Sequence, residues 1–154
     1  MKALRFFAIL LVLDAAASAA GPSADVWSPA DIGKVSSGLA HEAEAEDLAG
    51  KTLAAYGSHS AAVWRRARSG RAELHRTRTD LIVITEGEAT LVSGGTIPDG
   101  KATSPVEVRG SSIAGGTSRH VGPGDIIHIP AGMPHQFLLG KDHTLTYFAL
   151  KLPK

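Results

Sequence analysis

The chain has no cysteine among its 154 residues, which excludes disulfides, thiolate metal ligation and a lipid-modified cysteine behind a leader. Stability must therefore come from the packed core. It also lacks a hydrophobic run long enough to span a bilayer: Phe6 to Leu13 is the longest near the start, far short of the roughly 20 residues a membrane helix needs. Charge of one sign is missing too, with 16 basic against 15 acidic residues. No internal repeat is visible, so one domain rather than two is expected.

What stands at the N-terminus is Lys2 and Arg5, then that short apolar stretch, then Ala17-Ser18-Ala19-Ala20. A basic start, an apolar middle and an Ala-x-Ala ending describe a secretory signal peptide. Residues 1–20 are read as that peptide, with cleavage near Ala19 or Ala20 and a periplasmic or secreted destination. Removal takes away Lys2, Arg5 and Asp14, leaving fourteen basic and fourteen acidic residues. A neutral exported domain is a poor nucleic-acid binder on charge grounds. No membrane association is expected after cleavage.

Residues 21–50 read as an N-terminal helical arm. Ser28-Pro29-Ala30-Asp31 is a helix start, with Ser28 as N-cap and Pro29 at the first helical position. Ile32, Val35 and Leu39 give a narrow apolar face, weakened by Gly33 and Gly38 at about 1 kcal/mol each. From Lys51 to Lys154 strand signals dominate: 52–56, 61–66, 71–75, 81–85, 89–92, 118–121, 125–129, 135–139 and 144–150. The 17 glycines and 8 prolines fall between them as punctuation. Residues 96–116, rich in Gly, Pro, Ser and Thr, read as a long loop placed as a flap. Nine short strands at this spacing predict an all-β fold, an antiparallel double-sheet jelly roll.

The most informative stretch is Gly124-Asp-Ile-Ile-His-Ile-Pro130-Ala-Gly132-Met-Pro-His135. It reads as a buried strand, a rigid turn, and a histidine at the start of the next strand. Upstream, Glu73 and His75 alternate onto one strand face, and Asp80, after the short connection 76–79, begins the adjacent strand and enters from beside them. Two imidazoles with one or two carboxylates are the ligand types of Fe(II), Mn(II), Zn(II) or Ni(II).

These two segments resemble the cupin superfamily. Its second motif is a glycine, five residues, Pro-x-Gly, two residues and a histidine; Gly124, Pro130, Gly132 and His135 fit it without a gap. Its first motif runs His-x-His, three or four residues, Glu, six residues, Gly. Here Glu73 stands at the first histidine, His75 at the second, Asp80 at the glutamate and Gly87 at the closing glycine. The resemblance covers roughly residues 60–150. It implies a single cupin-type barrel over 51–154, pairing as a homodimer, with Glu73, His75, Asp80 and His135 as ligands of a divalent metal ion. Glu73, His75 and His135 are the candidate catalytic residues.

Three functions fit that reading. The first is a metal-dependent site, of oxidoreductase or isomerase type if it turns over, acting on or binding a small polar molecule. The second is a metal-free isomerase or epimerase in which Glu73 and a histidine shuttle a proton. The third is a non-catalytic small-ligand binder. Elsewhere the expectations are structural: Trp64 and Tyr147 in the core, His128 packed or at the surface, and His41, His59, His120 and His143 exposed. Arg65, Arg66, Arg68, Arg71, Arg76 and Arg78 are expected on a solvated sheet face, with Glu73 an ion-pair candidate for Arg65, Arg66 or Arg71.

Overall fold

The computed structural model describes residues 23–154. The signal-peptide reading of residues 1–20 lies outside them. Among the described residues no helix is long and apolar enough to cross a membrane.

Helix α1 runs Pro29–Glu46. Ser28 caps it with a reciprocal pair: the Asp31 amide donates to Ser28 Oγ, and the Ser28 amide donates to the Asp31 carboxylate. Its buried stripe is Ile32, Ser36, Leu39 and Ala43. Burying Ile32 and Leu39 contributes about 1.5–3 kcal/mol each, which outweighs the two helical glycines at about 1 kcal/mol apiece.

Eleven strands follow: β1 Leu48–Ala55, β2 Ser60–Arg66, β3 Ala72–His75, β4 Arg78–Gly87, β5 Ala89–Ser93, β6 Lys101–Ser104, β7 Glu107–Gly110, β8 Thr117–Val121, β9 Ile126–Ile129, β10 His135–Leu138 and β11 Leu145–Pro153. They form a five-stranded sheet, β1-β2-β11-β4-β9, and a six-stranded sheet, β6-β7-β3-β10-β5-β8. Every strand pair is antiparallel. The two sheets enclose Ile82, Ile84, Leu91, Val121, Ile129, Phe137, Leu145 and Tyr147. Alternation sets the phase: Leu145, Tyr147 and Ala149 point inward on β11, as do Asp80, Ile82 and Ile84 on β4. Helix α1 covers the outer face of the five-stranded sheet through Ile32, Leu39, Ala43, Ala49 and Val63.

The expected flap over 96–116 is corrected: it contains the hairpin β6–β7, which adds two strands to the six-stranded sheet. Its residues, Lys101-Ala-Thr-Ser104 and Glu107-Val-Arg-Gly110, carry almost no apolar signal because β6 is an exposed edge. Gly87 ends β4 at φ 73°, and a Cβ there would lie 1.9 Å from the Thr144 carbonyl oxygen. That position admits only glycine.

Candidate metal and substrate site

The site is assembled across both sheets. On β3, Glu73 lies directly opposite His135 of β10, and His75 shares the face of Glu73. The turn after β9 aims His135: the Met133 amide donates to the Pro130 carbonyl, with Gly132 at φ 84°. The Gly132 amide then donates to the His75 carbonyl at 2.7 Å, tying the two motifs together through their backbones. Asp80 enters from β4. It was expected on a strand beside β3; it comes instead from the opposing sheet, facing the histidines across the interior.

The side chains converge. His75 Nε2 lies 3.3 Å from Asp80 Oδ2 and 3.8 Å from Glu73 Oε2. His135 Nε2 lies 3.7 Å from Asp80 Oδ2 and 3.8 Å from Glu73 Oε1. Ligands held about 2.0–2.2 Å from a zinc-sized ion in tetrahedral array stand about 3.4 Å apart, so this donor set fits a shared divalent ion. Glu73, His75 and His135 each offer one ligand atom within 4.8 Å of the others. Orientation agrees: His135 Nδ1–H donates to the Met133 carbonyl at 3.1 Å, leaving the Nε2 lone pair directed at the cluster.

Protonation follows from the surroundings. Burial lowers the His135 pKa below its ordinary value despite the nearby carboxylates, which keeps the imidazole neutral and able to ligate. Burial also acts most strongly on Glu73, pushing it up. Coupling to His135 and the charges of Arg109 and Arg66 more than reverse that, so its pKa lies below the usual range. Asp80 behaves alike: burial raises it, while His75 and Lys151 hold it low. Both acids are therefore ionised at neutral pH.

Several residues at the site were not anticipated. Arg66, expected on a solvated face, is 4 % exposed and sits inward; its Nη2 lies 3.2 Å from Glu73 Oε1, which bears out the ion pair expected of Glu73 with Arg65, Arg66 or Arg71. Arg68, Arg71, Arg76 and Arg78 are exposed as expected. Arg109 Nη2 meets Glu73 Oε2 at 2.9 Å and pairs with Glu107, because β7 lies in register with β3, Arg109 against Glu73 and Glu107 against His75. Lys151 donates to Asp80 Oδ1 at 2.8 Å and to His75 Nε2 at 3.0 Å. The inward alternation Leu145, Tyr147, Ala149 continues to Lys151, a signal readable from the sequence. Arg109 had none, since its hairpin was unrecognised.

These groups line a cavity of about 340 Å³, the size of a small-ligand pocket. Trp64 and Tyr147 form part of its wall, and Tyr147 also stacks on Phe137 at 5.4 Å. His128, His41, His120 and His143 are exposed, whereas His59 is half-buried and stacked on Tyr56 at 4.7 Å.

The two sheets of antiparallel strands are similar in fold to many solved structures. One is the polyketide cyclase RemF from Streptomyces resistomycificus, with TM-score 0.51 and 22% identity. A second is the DMSP lyase DddQ from Ruegeria pomeroyi, with TM-score 0.50 and 20% identity. A third is a cupin 2 conserved barrel domain protein from Rhodopseudomonas palustris, with TM-score 0.50 and 16% identity. The chain has the cupin fold. Each match covers 70% of this chain; of the neighbours it spans 66%, 48% and 65% respectively. No protein-family model and no curated protein matches the chain. At these identities the cupin fold is what is shared, and the chemistry must be argued from the pocket.

Proposed function

We propose that this chain is an exported metal-binding cupin whose pocket takes a small polar molecule. The observation that carries the reading is the convergence of two imidazole Nε2 atoms and two carboxylates at 3.3–3.8 Å. Glu73, His75, Asp80 and His135 would hold the ion. A bound divalent ion of the Fe, Mn, Zn or Ni type supplies Lewis-acid polarisation of a substrate oxygen. The chain's own residues do the rest. Burial keeps His135 neutral, Arg66 and Arg109 keep Glu73 ionised and oriented, and Trp64 and Tyr147 shape the wall against which a ligand rests. The neighbours named as a cyclase and a lyase support a site of this kind supporting turnover.

The test is elemental analysis of untagged protein beside His135→Ala. Stoichiometric metal in the parent and its loss in the variant are expected; a metal-free parent, or equal metal in both, overturns the reading. For export, intact-mass measurement on secreted material should find a chain beginning at Ala20 or Gly21; retention of Met1 removes that part.

A second reading is favoured by Lys151, whose Nζ already donates to His75 and Asp80. In a metal-free acid–base site, His75 between Lys151 and Asp80 would move the proton, with Glu73 as its acidic neighbour. Full activity on a discovered substrate after exhaustive chelation would favour it over the first.

A further inference from the structure

The ligand cluster already contains a cation of its own. Three acids, Glu73, Asp80 and Glu107, face three bases, Arg66, Arg109 and Lys151, so these six side chains balance before any ion arrives. Adding two positive charges to a balanced, largely buried cluster is unfavourable unless one resident charge leaves. The three bases differ in their freedom to do so. The Arg66 side chain is 5% exposed and locked against Glu73. Arg109 is 29% exposed, bonded through Nε to Glu107 at 2.7 Å and through Nη2 to Glu73. Lys151 is 35% exposed, sits on the last strand, and holds the cluster by its terminal nitrogen alone. A single ammonium on a flexible four-carbon stem is the group most easily withdrawn.

Its placement is a consequence of register. Lys151 lies directly opposite Asp80 in the β4–β11 pair, and its Nζ contacts Asp80 Oδ1 and His75 Nε2. Both partners belong to the donor set assigned above. The nitrogen that would face an ion from His75 is the one that accepts from Lys151.

We propose that Lys151 is a displaceable internal cation that competes with a divalent metal ion for His75 and Asp80 and so sets the affinity of the site. The inference rests on the metal reading of the cluster. Its content is separate: the free pocket is kept closed on itself by Lys151, and an ion enters only as that side chain swings toward the mouth.

The experiment is equilibrium dialysis of Zn²⁺ and Mn²⁺ against the full chain and its Lys151→Met, Lys151→Gln and Lys151→Arg variants, with thermal melting to confirm folding. Lys151→Met and Lys151→Gln should bind both ions at least about tenfold more tightly than the parent, since one competing charge at close range is worth at least a factor of ten. Lys151→Arg, which keeps the charge, should stay as weak as the parent. A second measurement needs no variant: reductive methylation of the parent, read by peptide mass spectrometry, should label Lys151 faster with Zn²⁺ present than without. Equal affinity in parent and neutral variants, or slower labelling with the ion, overturns this inference and leaves the metal reading intact. Tight binding by the neutral variants alone upholds the inference and removes metal from the native function. Binding by none of the four removes both.

Discussion

Two polar clusters lie back to back on the five-stranded sheet, built from adjacent residues of the same strands. On the outer face Arg65 and Thr146 meet Glu86 and Ser36 of helix α1; on the inner face Arg66 meets Glu73 in the pocket that Tyr147 also lines. The outer groups bond chiefly to one another. Ser36 Oγ donates to Glu86 Oε2 at 2.7 Å, shares a hydrogen bond with Thr146 at 2.9 Å, and accepts from Arg65 Nη1 at 3.0 Å. The inner groups converge on one point beside a cavity, with imidazole nitrogens directed at it. Similar side chains therefore fasten a helix on one side and make a site on the other. Access and convergence of lone pairs make the difference, not composition.

The comparison breaks hardest at its inner half. Arg66→Met should destabilise by about 3 kcal/mol in denaturant unfolding, the low end for breaking a buried pair because Arg109 still faces Glu73. Arg65→Met, at the half-buried outer position, should cost less than half of that. Next in size is His135→Ala, which removes an oriented ligand; metal affinity should fall by about 100-fold, about 2.7 kcal/mol, with the fold retained. Glu86→Gln should leave metal affinity unchanged in the same titration.

Glu86→Ala sharpens the contrast from outside. It should lower stability by about 1–2 kcal/mol by stripping Ser36 and Arg65 of their common acceptor, with metal content unaltered. Loss of metal in that variant would mean that the two faces are coupled.

The smallest effect is the pH dependence of the metal-free protein between pH 7 and 5. Burial puts the His135 pKa below its ordinary value, about 6.5 in an unfolded chain. The unfolded chain thus takes up the proton first. Stability from this group is complete above that value and declines as pH falls below it. Glu73 and Asp80, held low, contribute stability present above about pH 4 and lost on further acidification. His135→Gln should flatten the upper part of a melting-temperature profile while the lower part persists. An unchanged upper part would assign the effect to another group.

Much of the barrel was legible because its strands carry their own punctuation. Ile126 to Ile129 and the Pro130–Pro134 turn marked β9 and the aim of His135, though β9 is an edge strand with Ile126 exposed rather than the buried strand expected, and Ser28-Pro29 marked the start of α1. The hairpin β6–β7 was not legible: an exposed edge has no apolar alternation to betray it. Arg109 and Glu107 were lost with it. Arg66 was named as a partner for Glu73 but placed on a solvated face, because an arginine beside Arg65 and Arg68 looks solvated until Glu73 is known to be buried.

The order of residues along the chain determined the fold class, the two motifs and the types of ligand they bring, since periodicity, turn chemistry and side-chain identity are local properties. Only the packing of one sheet on the other decided that Asp80 faces His75 from the opposing strand and that Lys151 reaches both. Such pairings depend on register and on which sheet a strand joins, and those are set by contacts between residues some seventy positions apart.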